Sequence, residues 1–216
     1  MRSRGTAQKR AAPYRYVGFA MDSRDMEALN ADTRRRAGHY EILGETYAKF
    51  EFFENGWNPY SRFLDVDKVD LILRRRDSNR PIYREVQVKY GKLYRCAQKW
   101  EIPLFDVTSW RFFREGEFDE YVDHPDFFIA YVLAEDIGYR GDLFIFPVRN
   151  FVELLRAAIS SGDKKKMYIS RLRDRPETWV LRKENKFVSV VDSTAVDVSR
   201  YRRNFQALLT ANPTKC

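Results

Sequence analysis

Hydrophobic and polar positions alternate most regularly from Val69 to Lys92, VDLILRRRDSNRPIYREVQVKYGK. Successive strand residues point to opposite faces. A strand near 62–75 therefore places Val69, Leu71 and Leu73 on one face and Asp70 and Ile72 on the other. A second, near 81–90, places Ile82, Val86, Val88 and Tyr90 on one face and Tyr83, Glu85, Gln87 and Lys89 on the other. The turn formers Asp77, Ser78 and Asn79 join the two. A polar row on an otherwise apolar strand is either a wet sheet face or a site.

Elsewhere the pattern predicts helices over Asp22–Arg36 and Gly38–Asn55. Tyr40, Leu43, Tyr47 and Phe50 give the second an apolar side, which Ile42, Phe52 and Phe53 widen. DFFIAYVLA and DLFIFPV are apolar throughout and read as buried strands. Asn150 is placed to cap a helix, FVELLRAAI. MYISRLR and TWVLRK read as strands, and a final helix capped by Ser199 spans SRYRRNFQALLTA. LFDVTSWRFF reads as strand, with the aromatics at 110–113 in the core or an interface, and FDEYVDHP as a loop or short helical turn. Residues 1–20 read as an arm. Helices and strands in this order indicate an α/β fold with a mixed central sheet flanked by helices.

The formal charge of +8 points to an anionic partner. It is unevenly spread. Residues 1–36 hold nine Lys/Arg against four Asp/Glu, residues 101–142 three against eleven, and residues 164–186 nine against three. Two cysteines and two histidines argue against a disulfide framework and a zinc site. No apolar run approaches the roughly 20 residues of a membrane span. No secretion signal is evident at the N-terminus, so the expected location is cytoplasmic or nucleoid-associated. No glycine-rich loop supports P-loop or dinucleotide binding.

Asp70 on one strand and Glu85, Gln87 and Lys89 on the next can converge if the strands pair antiparallel. Oxygen ligands with waters suit Mg²⁺, and a neighbouring lysine can hold a phosphate oxygen or steady a water. Taken singly, Asp70 is a strand-end carboxylate, Lys89 a snorkelling lysine, and Glu45 an i,i+4 partner of Lys49. Asp65 and Asp67 rank below Asp70 because they precede the apolar part of the strand.

The order GETYA with Glu45, VDLI with Asp70, then EVQVK with Gln87 and Lys89 resembles the PD-(D/E)XK nuclease superfamily over residues 38–92. It is the Gln-containing form, similar to some intron-encoded and restriction-type endonucleases. The resemblance implies a restriction-endonuclease-like αβββαβ core over 37–160. A basic N-terminal arm and helix over 1–36 would precede it, and a basic C-terminal extension over 161–216 would pack on it. The implied activity is DNA phosphodiester hydrolysis with Mg²⁺, or Mn²⁺ in its place. Asp70, Gln87, Lys89 and Glu45 would be catalytic. Asp70, Gln87, the Val88 carbonyl, Glu45 and Glu85 would be the metal ligands. Gln87 stands where the wider family has a carboxylate, and that leaves open a non-catalytic nucleic-acid-binding or assembly protein with the same fold. Cleavage of both strands of a duplex calls for two sites, which a homodimer would supply. DNA contacts are expected from Arg74, Arg75 and Arg76, from Lys164, Lys165 and Lys166, and from Arg200, Arg202 and Arg203.

Overall fold

The computed structural model describes residues 23–61, 68–76, 80–135 and 141–210, with side chains from residue 38. The expected arm, Asp65, Asp67 and the turn at 77–79 lie outside the described residues. The chain divides into two compact units, residues 1–37 and 38–216. Side-chain statements below concern the second.

Helix α1 runs unbroken from Ser23 to Glu54 where two helices were expected. Gly38 lowers helix propensity by about 1 kcal/mol relative to alanine, too little to end a helix that has no proline. The strands follow as β1 (Asn58–Ser61), β2 (Leu71–Arg76), β3 (Pro81–Lys92), β4 (Tyr94–Arg95), β5 (Phe105–Arg114), β6 (Phe127–Ala134) and β7 (Asp142–Pro147). Helix α2 (Val148–Ala157) leads to β8 (Ile159–Ser161), β9 (Lys164–Leu172), β10 (Trp179–Arg182) and β11 (Ala195–Asp197).

These make a mixed α/β fold with two sheets. The first has five strands in the order β1-β2-β3-β6-β7; the second has six, ordered β11-β10-β9-β5-β4 with β8 beside β9. In the first sheet β3 and β6 are parallel and the other pairs antiparallel. A parallel pair needs a crossover. This one carries β4, β5 and a 3₁₀ turn at Asp119–Tyr121, and no α-helix.

All eight residues of β6 are buried. Phe128, Ala130 and Val132 join Leu71, Leu73, Val86 and Val88 in a core with Ala48 and Phe52 of α1. Phe127, Ile129, Tyr131 and Leu133 face a second core with Phe113, Met167 and Ile169 of the other sheet and Phe151 and Leu155 of α2. One face of the first sheet is thus covered by a helix and the other chiefly by the second sheet.

Three expectations change. The packing face of α1 runs through Gly44, Ala48 and Phe52, while Ile42, Phe50 and Phe53 are exposed. A Cβ on Gly44 would lie 3.1 Å from Tyr90 Cβ, so small residues seat the helix on β3. Apolar periodicity does not weigh such residues. Second, α2 begins at Val148 after Pro147, with Asn150 inside it and not capping it. Third, the final helix is replaced by 3₁₀ turns at Ser199–Tyr201 and Phe205–Leu208. Between them Arg203 adopts φ 48°, which no α-helix accommodates. Its guanidinium donates to both Glu51 carboxylate oxygens, at 2.9 and 2.6 Å. Ser199 Oγ does not cap but accepts from the Trp179 N–H at 2.8 Å.

Candidate active site

β2 begins one residue after Asp70. The Asp70 N–H donates to the Val86 carbonyl at 3.0 Å. Its carboxylate Oδ2 accepts from the Val88 N–H at 2.6 Å, where the ladder with β2 has run out. The N–H and C=O of one strand residue project from the same strand edge, so the Val88 carbonyl emerges on the Asp70 side. The Val88 side chain meanwhile sits in the α1 core.

Gln87 and Lys89 belong to the face of β3 turned toward the second sheet. Gln87 is 7 % exposed, and its Oε1 has no hydrogen-bond partner among the described residues. A buried acceptor left unmet costs about 1–3 kcal/mol. The Lys89 ammonium lies 3.5 Å from Glu117 Oε1 and 5.6 Å from the centre of the Phe118 ring. Burial pulls its pKa below the ordinary 10.5. Glu117 and Asp70 oppose that shift, and the nearby Arg111 adds to it. Asp70, Val88 and Lys89 are thus brought together, with Gln87 on the same face of β3 as Lys89, one residue before Val88.

The other two proposed ligands are engaged elsewhere. Glu85 Oε2 is 3.9 Å from His124 Nε2, and Glu45 Oε2 is 3.7 Å from Lys49 Nζ. Among the described residues, no three or more His, Cys, Asp or Glu side chains are grouped to hold a metal ion. Besides Glu117, which pairs with the Lys89 ammonium, the oxygen donors that the expected ligand set places near Lys89 are the Asp70 carboxylate, the Gln87 amide and the Val88 carbonyl. That set has one charged ligand, and it fits a hard cation such as Mg²⁺ that keeps much of its water. A water or a cation would equally satisfy the unmet Gln87 oxygen.

Sequence reasoning missed the loop after β5. Glu117 pairs with Lys89, and its backbone carbonyl accepts from Lys68 Nζ at 2.7 Å. Lys68 also reaches Glu120 Oε1 at 3.3 Å. This loop borders a cleft of about 460 Å³ lined by Lys68, Arg111, Arg114 and Lys164 against Glu115 and Glu117, with Phe112 and Phe113. Nothing in the local sequence tells which strand Glu117 will meet.

The expected DNA-contacting cations separate into two groups. Arg202 Nε donates to Asp142 Oδ2 at 2.5 Å, Arg203 is bound bidentately by Glu51, and Arg200 Nη2 donates to Tyr201 OH at 2.7 Å. Arg75 Nη1 donates to the Asn55 carbonyl at 3.5 Å. Of these, the Arg202 and Arg203 pairs tie the C-terminal segment to β7 and α1. Lys165 pairs with Glu115 at 3.8 Å, whereas Lys164 lines the cleft. Arg74 is partly covered and Arg76 is exposed on the outer end of β2.

No protein-family model, curated protein or solved structure matches this chain. No described helix is long and apolar enough to cross a membrane.

Proposed function

We propose that the protein is a metal-dependent DNA endonuclease that hydrolyses phosphodiester bonds, with a site of the PD-(D/E)XK type in its Gln form. The observation that carries this reading is the Asp70 carboxylate bonded to the Val88 N–H beside the buried ammonium of Lys89. The β1-β2-β3 antiparallel run followed by parallel β6 supports it at the level of topology. The helix that the αβββαβ core would place between β3 and β6 is replaced by strands of the second sheet.

Asp70, Gln87 and the Val88 carbonyl would hold Mg²⁺ or Mn²⁺. Such a cation neutralises charge on the scissile phosphate and acidifies a bound water. The Lys89 ammonium already holds an anionic oxygen, that of Glu117. In the substrate complex a phosphate oxygen takes that place, and Lys89 stabilises the negative charge that develops there. Lys68, Arg111, Arg114 and Lys164 draw the DNA backbone into the cleft. Glu45 and Glu85 enter only by exchanging Lys49 and His124 for the metal or its waters.

A second reading, a nucleic-acid-binding protein without catalysis, draws on the neutral Gln87 and on the engagement of Lys89 by Glu117. The deciding experiment incubates plasmid, linear, branched and single-stranded DNA with the protein and Mg²⁺ or Mn²⁺, against a chelator. Calorimetric Mn²⁺ titration of Asp70→Ala and Gln87→Glu accompanies it. The nuclease reading expects cleavage that the chelator stops, weaker metal binding in the first variant and tighter binding in the second. Absence of cleavage, with both variants titrating like the parent, favours the second reading.

A further inference from the structure

The aromatics at 110–113, expected in the core or an interface, divide: Phe113 is in the core, and Trp110 and Phe112 are on the outward face of the second sheet. β5 and β9 pair antiparallel with Trp110 opposite Tyr168, Phe112 opposite Lys166 and Arg114 opposite Lys164. Directly opposed residues share a face. The alternate residues Phe113, Met167 and Ile169 are buried in the core between the sheets. The three pairs therefore form successive rows on the outer face. Trp110 and Phe112 are each 40 % exposed, against 1 % for Phe113.

The Lys166 ammonium lies 4.6 Å from the ring centres of Trp110 and Tyr168 and 5.5 Å from that of Phe112. No carboxylate among the described residues pairs with Lys166, Lys164 or Arg114. Large exposed rings interleaved with unneutralised cations are what a nucleic acid needs when its bases are unpaired. Rings stack any base, and cations follow the backbone. A duplex hides its base faces and could use only the cations.

We infer that this face binds single-stranded nucleic acid, with bases stacked on Trp110 and Phe112 and phosphates held by Lys166, Lys164 and Arg114. Trp110 and Phe112 are two residues apart on one strand, and their rings meet edge to face with centres 5.7 Å apart, forming one continuous aromatic surface. Lys166 occupies the ring faces in the free protein. An arriving base displaces its ammonium, which then has a phosphate to meet. The path is continuous with the cleft, which Phe112, Arg114 and Lys164 also line. The inference does not depend on chemistry at Lys89, because stacking needs neither metal nor cleavage.

The test measures fluorescence anisotropy of a labelled oligothymidylate and of a mixed-sequence duplex of equal length, both in excess chelator. Trp110→Leu and Phe112→Leu keep apolar cover but remove the stacking surface. Each is expected to weaken the oligothymidylate complex roughly 5- to 150-fold and to leave duplex binding within about twofold, whereas Trp110→Tyr, which keeps a ring at that position, is expected to bind as the parent does. Lys166→Ala is expected to weaken both ligands and to flatten the salt dependence. Parental affinity of both leucine variants for the oligothymidylate overturns the inference, as does a parent that fails to bind it. Equal losses on single strand and duplex also overturn it, by reducing the face to a phosphate contact.

Discussion

Each sheet carries largely buried cations paired with carboxylates, and two of these pairs, Arg182 with Glu101 and Lys89 with Glu117, behave differently. On the second sheet Arg182 is 1 % exposed. Its Nη1 donates to Glu101 at 2.7 Å and its Nε to Ser170 Oγ at 2.8 Å. Its guanidinium sits 4.3 Å from the ring of Phe105 and 5.1 Å from that of Tyr168. Only Nη2 lacks a hydrogen-bond partner. On the first sheet Lys89 is 13 % exposed and meets Glu117 at 3.5 Å, beyond good hydrogen-bond length. Glu117 borders an open cleft, and Gln87 beside Lys89 has an unmet oxygen. Burial and pairing alone do not distinguish a structural charge from one available for work. The difference lies in how far the donors are committed and whether a cavity opens beside them.

Removing each carboxylate sharpens the contrast most. Glu101→Ala strands a buried guanidinium and should destabilise the fold by about 3–5 kcal/mol, read by urea unfolding. Glu117→Ala leaves Lys89 beside a cleft that water can enter and should cost less than about 1 kcal/mol. Equal losses would erase the distinction. Next in size is catalysis. On the proposed nuclease reading, Lys89→Ala should reduce DNA cleavage roughly 10²- to 10³-fold while the unfolding transition stays cooperative and the expected Mn²⁺ binding persists. Unchanged cleavage would remove Lys89 from the reaction.

The packing that brings the two sheets together gives a smaller effect. A Cβ on Gly91 of β3 would lie 2.5 Å from Ser109 Oγ of β5 and 2.8 Å from Tyr131 OH. Gly91→Ala should therefore destabilise by about 1–3 kcal/mol, with a matching fall in Tm. Smallest is a pH effect. Burial places the Lys89 pKa below 10.5 in the folded protein, so the folded state holds fewer protons than the unfolded chain between those two values. Stability contributed through this group rises with pH across that window. Glu117 props the pKa up, so Glu117→Gln should move the Lys89 titration, followed by NMR of its ε-carbon, to still lower pH. A move upward would contradict the pairing.

Much of the first sheet is legible in the sequence. The runs around Ile129 and Ile145 are apolar on both faces because both faces of β6 and β7 are covered. Strand alternation put Gln87 and Lys89 on one face of β3, and β2 pairs with β3 antiparallel, the condition on which convergence of their polar residues depended. What was illegible depends on partners distant in the chain. Arg203 turns out of a helix toward Glu51, which is 152 residues away. Glu117 reaches Lys89 only because β5 crosses to the other sheet. In WRFF, local reading cannot tell Phe113, which faces β3 and β6, from Phe112, which faces outward. That choice is set by the register with β9.

The same interleaving governs how the chain is made. β4 and β5 are synthesised between β3 and β6, yet they belong to the other sheet. β5 then waits for β9, whose last residue is Leu172. On a ribosome, every shorter nascent chain presents Phe113 and the inner face of β6 without their cover from Met167 and Ile169. Such non-local pairing is slow to form and exposes apolar surface while it waits. Gly38 to the C-terminus forms one compact unit, so a cut between the two sheets leaves no half with a closed core.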